Sequence, residues 1–195
     1  MEDKNIEETN KENTSQKEYH RRLLRMSEIS LWLDNYDDIF SDFDPRPISQ
    51  RALSDDFLRE AKKASRENVS GAIDLTLLIP TNERNTYQEN VIKKRLKAHF
   101  NKHFNLLKKE KKGMINKGLL FTLLGILLMF IATFILVEYN EKGLFMNFII
   151  VLIEPGGWFL FWEGLNITIF ESKRINPDLE FYKKISKGEI SFSSY

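Results

Sequence analysis

The chain has 195 residues, 42% of them hydrophobic and 29% charged, with a net charge of +1 at pH 7 and a mean hydropathy of −0.37. It has no cysteine, which excludes disulfides, thiolate metal ligands and cysteine nucleophiles. As averages these values describe a soluble domain, yet charge and hydropathy are strongly segregated along the chain.

Residues 1–26 form a polar tail with too few apolar residues to bury a core, and disorder is expected there. Residues 27–112 read as a cytoplasmic α+β domain. Ile29, Leu31 and Leu33 alternate with their neighbours and predict a short strand. The stretch NYDDIFSDFDPRP is an acidic, aromatic loop. Ser54-Asp55-Asp56 has the chemistry of a helix cap and opens a helix through FLREAKKASRE, broken at Asn68 to Gly71. Ala72 to Ile79 predicts a strand stopped by Pro80. A long helix follows from about Glu83 to Lys112. On it Ile92, Leu96, His99, Phe100, His103, Leu106 and Leu107 fall within a sector of about 120°, the width of a core-facing stripe. Beyond it, Gly113 either loosens the helix or is simply run through.

Residues 113–170 read as a two-span transmembrane hairpin. Gly118 to Val137 is a run of twenty positions without a charge. At about 1.5 Å per residue, such a helix crosses the roughly 30 Å hydrocarbon core. A second apolar stretch, Leu144 to Phe170, contains Asn147, Glu154, Pro155-Gly156-Gly157, Glu163 and Asn166. Only residues 138–143 separate the two, so an antiparallel pair is expected. The alternative is a re-entrant turn at Pro155-Gly156-Gly157, which would need its backbone buried in protein. Lys102, Lys108, Lys109, Lys111, Lys112 and Lys117 precede the first span. Lys173, Arg174, Lys183, Lys184 and Lys187 follow the second, and the connection holds Lys142 alone. This bias puts both termini in the cytoplasm.

Residues 171–195 supply a cytoplasmic helix and strand. Asn176-Pro177-Asp178 opens a helix through Ile185. The alternation from Glu189 to Tyr195 predicts a strand with Ile190 and Phe192 on one face, completing a small sheet with the two N-terminal strands. The fold class is therefore α+β: a small cytoplasmic α+β domain with an inserted antiparallel two-helix transmembrane hairpin.

The near-neutral total hides a dipole. Residues 27–56 hold eight acids and two arginines, net −6, whereas residues 91–117 hold ten bases and one acid, net +9. Within the basic block Lys108, Lys109, Lys111, Lys112 and Lys117 are placed to meet a bilayer with anionic headgroups. The same block has the charge to pair with the acidic one, in its own or a neighbouring chain. Nucleic acid is not the expected partner.

Glu154 falls at the middle of the second span, where a carboxylate costs at least about 2.5–3.5 kcal/mol. It is neutral there, or accepts hydrogen bonds from Thr122, Thr133 or Asn147, or rings an oligomer axis and binds a cation. Pro155 frees the carbonyl of Val151 beside it, as broken transmembrane helices do to present ligands to ions. The bland reading is a buried Glu that specifies packing. Gly118, Thr122, Gly125, Met129 and Ala132 make one small-residue seam, and Gly157, Phe161, Gly164 and Thr168 a second. One serves the hairpin and the other an oligomer, or both serve the hairpin. Glu163 sits near a Trp158–Trp162 pair suited to the membrane interface.

His99 and His103, at i and i+4, have the spacing of a metal pair but lack the glutamate of a metalloprotease motif; core or interface histidines are the simpler reading. Asp42 and Asp44 invite a divalent cation, without the spacing or glycine of an EF-hand. No cofactor is implied. There is no glycine-rich phosphate loop or serine elbow, so nothing argues for an enzyme. The leading expectation is a membrane-anchored module, a homo-oligomer or one that docks a cytoplasmic protein partner. The next is an oligomeric ion or proton conductor using Glu154, and the weakest a membrane-tethered enzyme using the acidic loop.

Overall fold

The computed structural model describes residues 28–67, 71–138 and 143–195. The tail, most of the connection between the apolar stretches and the break after Glu67 lie outside the described residues. The protein is mixed helix and sheet, with strands β1 (Glu28–Trp32), β2 (Asp74–Ile79) and β3 (Ile190–Ser194) and helices α1 (Asp55–Glu67), α2 (Thr86–Glu138), α3 (Leu144–Asn166) and α4 (Asn176–Lys187). It divides into two compact units. One takes the chain up to Phe104 together with Glu180–Tyr195, and the other is Asn105–Leu179.

The first unit is built on a three-stranded sheet of order β1-β2-β3. Both pairings are parallel, a feature the sequence pattern does not specify. Register follows the apolar pattern. Ile29, Leu75 and Ile190 form one cross-strand row, and Leu31, Leu77 and Phe192 the next, all on one face. A slip of one residue would turn every one of these side chains outward. The opposite face carries Ser30, Thr76 and Ser191, with Thr76 and Ser191 hydroxyls hydrogen-bonded at 2.9 Å.

Parallel neighbours need crossovers, and helices supply them. Between β1 and β2, α1 starts at Ser54, whose hydroxyl faces the Phe57 N–H at 3.5 Å. Asp55 and Asp56 fill its first turn, where the helix dipole favours acid. Phe57, Ala61 and Ser65 then recur every four residues as its buried stripe. After β2, α2 is capped by Asn85, whose Oδ1 accepts from the N–H groups of Tyr87 and Gln88 at 3.1 Å each. Ile92, Leu96 and Phe100 are fully buried, as the stripe predicts. The stripe stops at His103, because Leu106 is half exposed. Phe181 and Ile185 of α4 complete this core. Gly188 then turns the chain into β3, and a Cβ there would overlap the Ile73 carbonyl.

In the second unit, α2 runs through Gly113 without a break, and α3 runs through Pro155-Gly156-Gly157. The irregularity comes later, as a π turn at Ile167–Glu171. Both helices are long and apolar enough to cross a membrane.

Candidate functional site

The small-residue seams face each other. A Cβ on Gly125 would lie 2.7 Å from the Gly157 carbonyl, and one on Gly118 would lie 2.8 Å from that of Gly164. From the other side, a Cβ on Gly157 would lie 2.8 Å from Met129 Cγ and 3.1 Å from the Gly125 carbonyl. At Gly118, Gly125, Gly157 and Gly164 backbones this close leave no room for a side chain, which is why glycine stands at each. Ala132 and Ile150 are buried too, whereas Leu123, Phe130, Phe134, Leu152 and Phe159 point outward. Trp158 and Trp162 stack with ring centres 6.3 Å apart.

Glu154 is on an exposed face of α3. The threonines that could have served it are engaged within their own helix. Thr122 donates to the Gly118 carbonyl and Thr133 to the Met129 carbonyl, both at 2.9 Å. Asn147 donates its backbone N–H to the Gly143 carbonyl. Among the described residues the Glu154 carboxylate has no hydrogen-bond or ion-pair partner. Of the lysines beside the first span, Lys108, Lys109, Lys112 and Lys117 are exposed. Lys111 instead donates to the Asn176 side chain at 2.7 Å.

The two histidines belong to an aromatic cluster. His99 and His103 have ring centres 4.2 Å apart, and His103 stacks on Tyr182 at 5.2 Å. His99 Nε2 is buried with no hydrogen-bond partner among the described residues. Burial foremost, then the charges of His103, Arg95 and Lys102, push the His99 pKa down to about 4. Burial, then the charges of Lys102 and Arg95, lower that of His103. No third ligand joins them, and no group of three or more metal-ligating side chains exists among the described residues.

The acidic loop is tied internally. Asp38 accepts from the N–H groups of Asp34 and Asn35, which caps the short 3-10 turn Tyr36–Ile39. Arg51 reaches Asp37 at 2.6 Å, the Ser41 carbonyl at 3.0 Å and Asp42 at 3.7 Å. Asp44 accepts from the Arg46 guanidinium at 2.7 and 2.9 Å and from the Ala52 N–H at 2.6 Å. These donors, Arg46 first, hold its carboxyl far below the usual carboxylate range. An aspartate so engaged has little capacity left for a cation.

Two features escape the sequence. Glu89, a charged residue only 4% exposed, accepts from Arg84 and from the Tyr36 hydroxyl, which in turn accepts from the Asn85 N–H at 2.8 Å. A cleft of about 380 Å³ also opens beside β1. Leu31, Leu33 and Phe57 form its apolar part, and Asp34, Asp38, Asp56 and Glu60 its acidic part. Trp32, 67% exposed, stands at this cleft with its ring 4.3 Å from that of Tyr195.

No family model matches the chain, and no curated protein or solved structure matches it either.

The half-buried His99 sets a pH dependence. Its folded-state pKa lies below the ordinary 6.5, so on acidification the unfolded chain takes up the proton first. Stability from this group is complete above that ordinary value and falls as the pH drops toward 4. Denaturant unfolding of the full chain in detergent should show this loss, and His99→Gln should flatten the slope. An unchanged slope in that variant assigns the effect to other groups.

Proposed function

We propose that this is a two-span integral membrane protein in which an antiparallel helical hairpin anchors a cytoplasmic α+β domain that self-associates or docks a partner. The observation that carries the anchor is the division of labour on the apolar helices. Their glycine rows are spent on each other, while large apolar side chains cover the outward sides. Apolar surface of that extent needs hydrocarbon or protein over it. The contacts of Gly118 with Gly164 and of Gly125 with Gly157 run in opposite chain directions, which supports the antiparallel sense. Chain topology adds to this. A chain that leaves one folded unit after Phe104 and re-enters it at Glu180 crosses a bilayer an even number of times. The lysines flanking both spans favour the cytoplasm for that unit, facing anionic headgroups.

The cleft at Trp32 supports docking. An exposed aromatic beside an apolar floor and four carboxylates suits a protein segment that carries lysine or arginine next to an apolar residue. A second reading comes from Glu154. Its outward position leaves the carboxylate for an oligomer axis, where a ring of copies would pass a proton or cation.

The absence of cysteine makes topology directly measurable. Asn101→Cys and Ser193→Cys should react with a membrane-impermeant maleimide only from the cytoplasmic side, and Lys142→Cys only from the other. Labelling of all three from one side ends the two-span reading. By light scattering in mild detergent, the native protein should be an oligomer or carry a bound protein, and Trp32→Arg should reduce it to a monomer. A native protein that is monomeric with nothing bound overturns docking. For conduction, Glu154→Gln should abolish proton or cation flux into proteoliposomes with assembly intact, and a native protein without flux under any gradient ends that reading.

A further inference from the structure

Helices α2 and α4 carry the same basic pattern, Lys-Lys-x-x-Lys. On α2 it is Lys93-Lys94-Arg95-Leu96-Lys97, and on α4 it is Lys183-Lys184-Ile185-Ser186-Lys187. Leu96 and Ile185 are fully buried in the core of the first unit. Burying those two residues fixes the rotation of each helix and brings the lysines out along neighbouring rims.

Two open clefts along these rims share Lys187. One, of about 390 Å³, is lined by Gly71, Ala72, Glu180, Lys183, Lys184 and Lys187. The other, of about 380 Å³, is lined by Lys93, Lys94 and Lys97 together with Lys187, Gly188, Glu189 and Ile190. Six lysines thus face two carboxylates, Glu180 and Glu189. Two of the lysines are held in place: Lys97 donates to the Gly188 carbonyl, and Lys93 stands 5.8 Å from the centre of the Phe192 ring. Lys94, Lys183 and Lys187 have no carboxylate partner among the described residues.

Like charges gathered this closely repel, and an anion between them relieves the repulsion. Lysine ammonium groups are compact point charges suited to phosphate oxygens. Among the described residues no aromatic side chain lines either cleft, so these residues offer no platform on which a nucleobase could stack. We propose that the joined clefts bind a multiply phosphorylated anion, with Lys187 shared between phosphates that reach Lys94 on one side and Lys183 on the other. This site is separate from the acidic cleft at Trp32 and does not depend on the membrane reading. The phosphates come from a soluble polyphosphate or from a phosphorylated lipid headgroup.

Inorganic tripolyphosphate is the probe, titrated calorimetrically into the full chain in uncharged detergent at about 0.1 M salt, where long-range attraction is screened. Binding is expected, weakened about tenfold or more by Lys187→Glu and by Lys183→Glu, and unchanged by Lys63→Glu on α1, outside the clefts. Circular dichroism confirms that each variant is folded. With the chain in phosphatidylcholine vesicles, displacement of tripolyphosphate by added phosphoinositide bisphosphate identifies the lipid source, and its retention the soluble one. The proposal is overturned if the native chain shows no binding at about 1 mM probe, or if Lys63→Glu weakens binding as much as Lys187→Glu. It is equally overturned if Lys187→Glu abolishes self-association and leaves tripolyphosphate binding intact, since the occupant is then the acidic face of a second copy.

Discussion

The pairing of β3 with β2 is the constraint on which the rest of the protein depends. Leu75, Leu77 and Ile79 of β2 are fully buried, and the strand needs a neighbour on both edges. One neighbour, β1, arrives early in the chain. The other begins only at Ile190, after both apolar helices. Its parallel sense fixes the direction in which the chain must return, and α4 supplies that return while contributing Phe181 and Ile185 to the core. The end of β3 is then fastened. Tyr195 donates its hydroxyl to the Leu33 carbonyl and its backbone N–H to the Ile79 carbonyl, so one residue ties all three strands. The folded unit is consequently discontinuous in sequence.

Much of this was legible in the residues, for identifiable reasons. Ile29, Leu75 and Ile190 sit in period-two patterns bounded by Pro80 and by polar turns, and the strands are where those patterns lie. Ile92, Leu96 and Phe100 repeat at helical spacing, and the core face of α2 follows them. What local pattern could not supply was partnership at a distance. Glu89 reads as one more surface acid, because its partner Tyr36 lies 53 positions away. The facing of the two glycine rows was equally hidden. Each row announces a close contact without naming its partner; in the structure Gly125 lies against Gly157. The π turn at Ile167–Glu171 left no mark, since Ile-Thr-Ile-Phe-Glu suits an ordinary helix.

The charge dipole read from the sequence is resolved asymmetrically. In the acidic block Asp37, Asp42, Asp44 and Asp56 find counter-ions locally, in Arg51, Arg46 and Arg59, and Asp38 closes the cap of the 3-10 turn. Arg95 of the basic helix reaches this block through a hydrogen bond to the Arg51 carbonyl. In the lysine patterns of α2 and α4, Lys94, Lys183 and Lys187 have no carboxylate partner among the described residues. Charge that a fold leaves unbalanced lowers its stability slightly, and its retention is better understood through what it attracts than through what it holds together.

The late position of β3 also orders events in time. A ribosome releases β1, α1 and β2 first, then both apolar helices, and only afterwards Ile190–Ser194. Until then the edge of β2 stands open, with its backbone donors and acceptors available to any other strand. Closure of the sheet therefore waits on synthesis of the apolar segments. A nascent chain stalled or misrouted at that stage would display an unpaired strand edge, the kind of surface that chaperones and quality-control proteases engage.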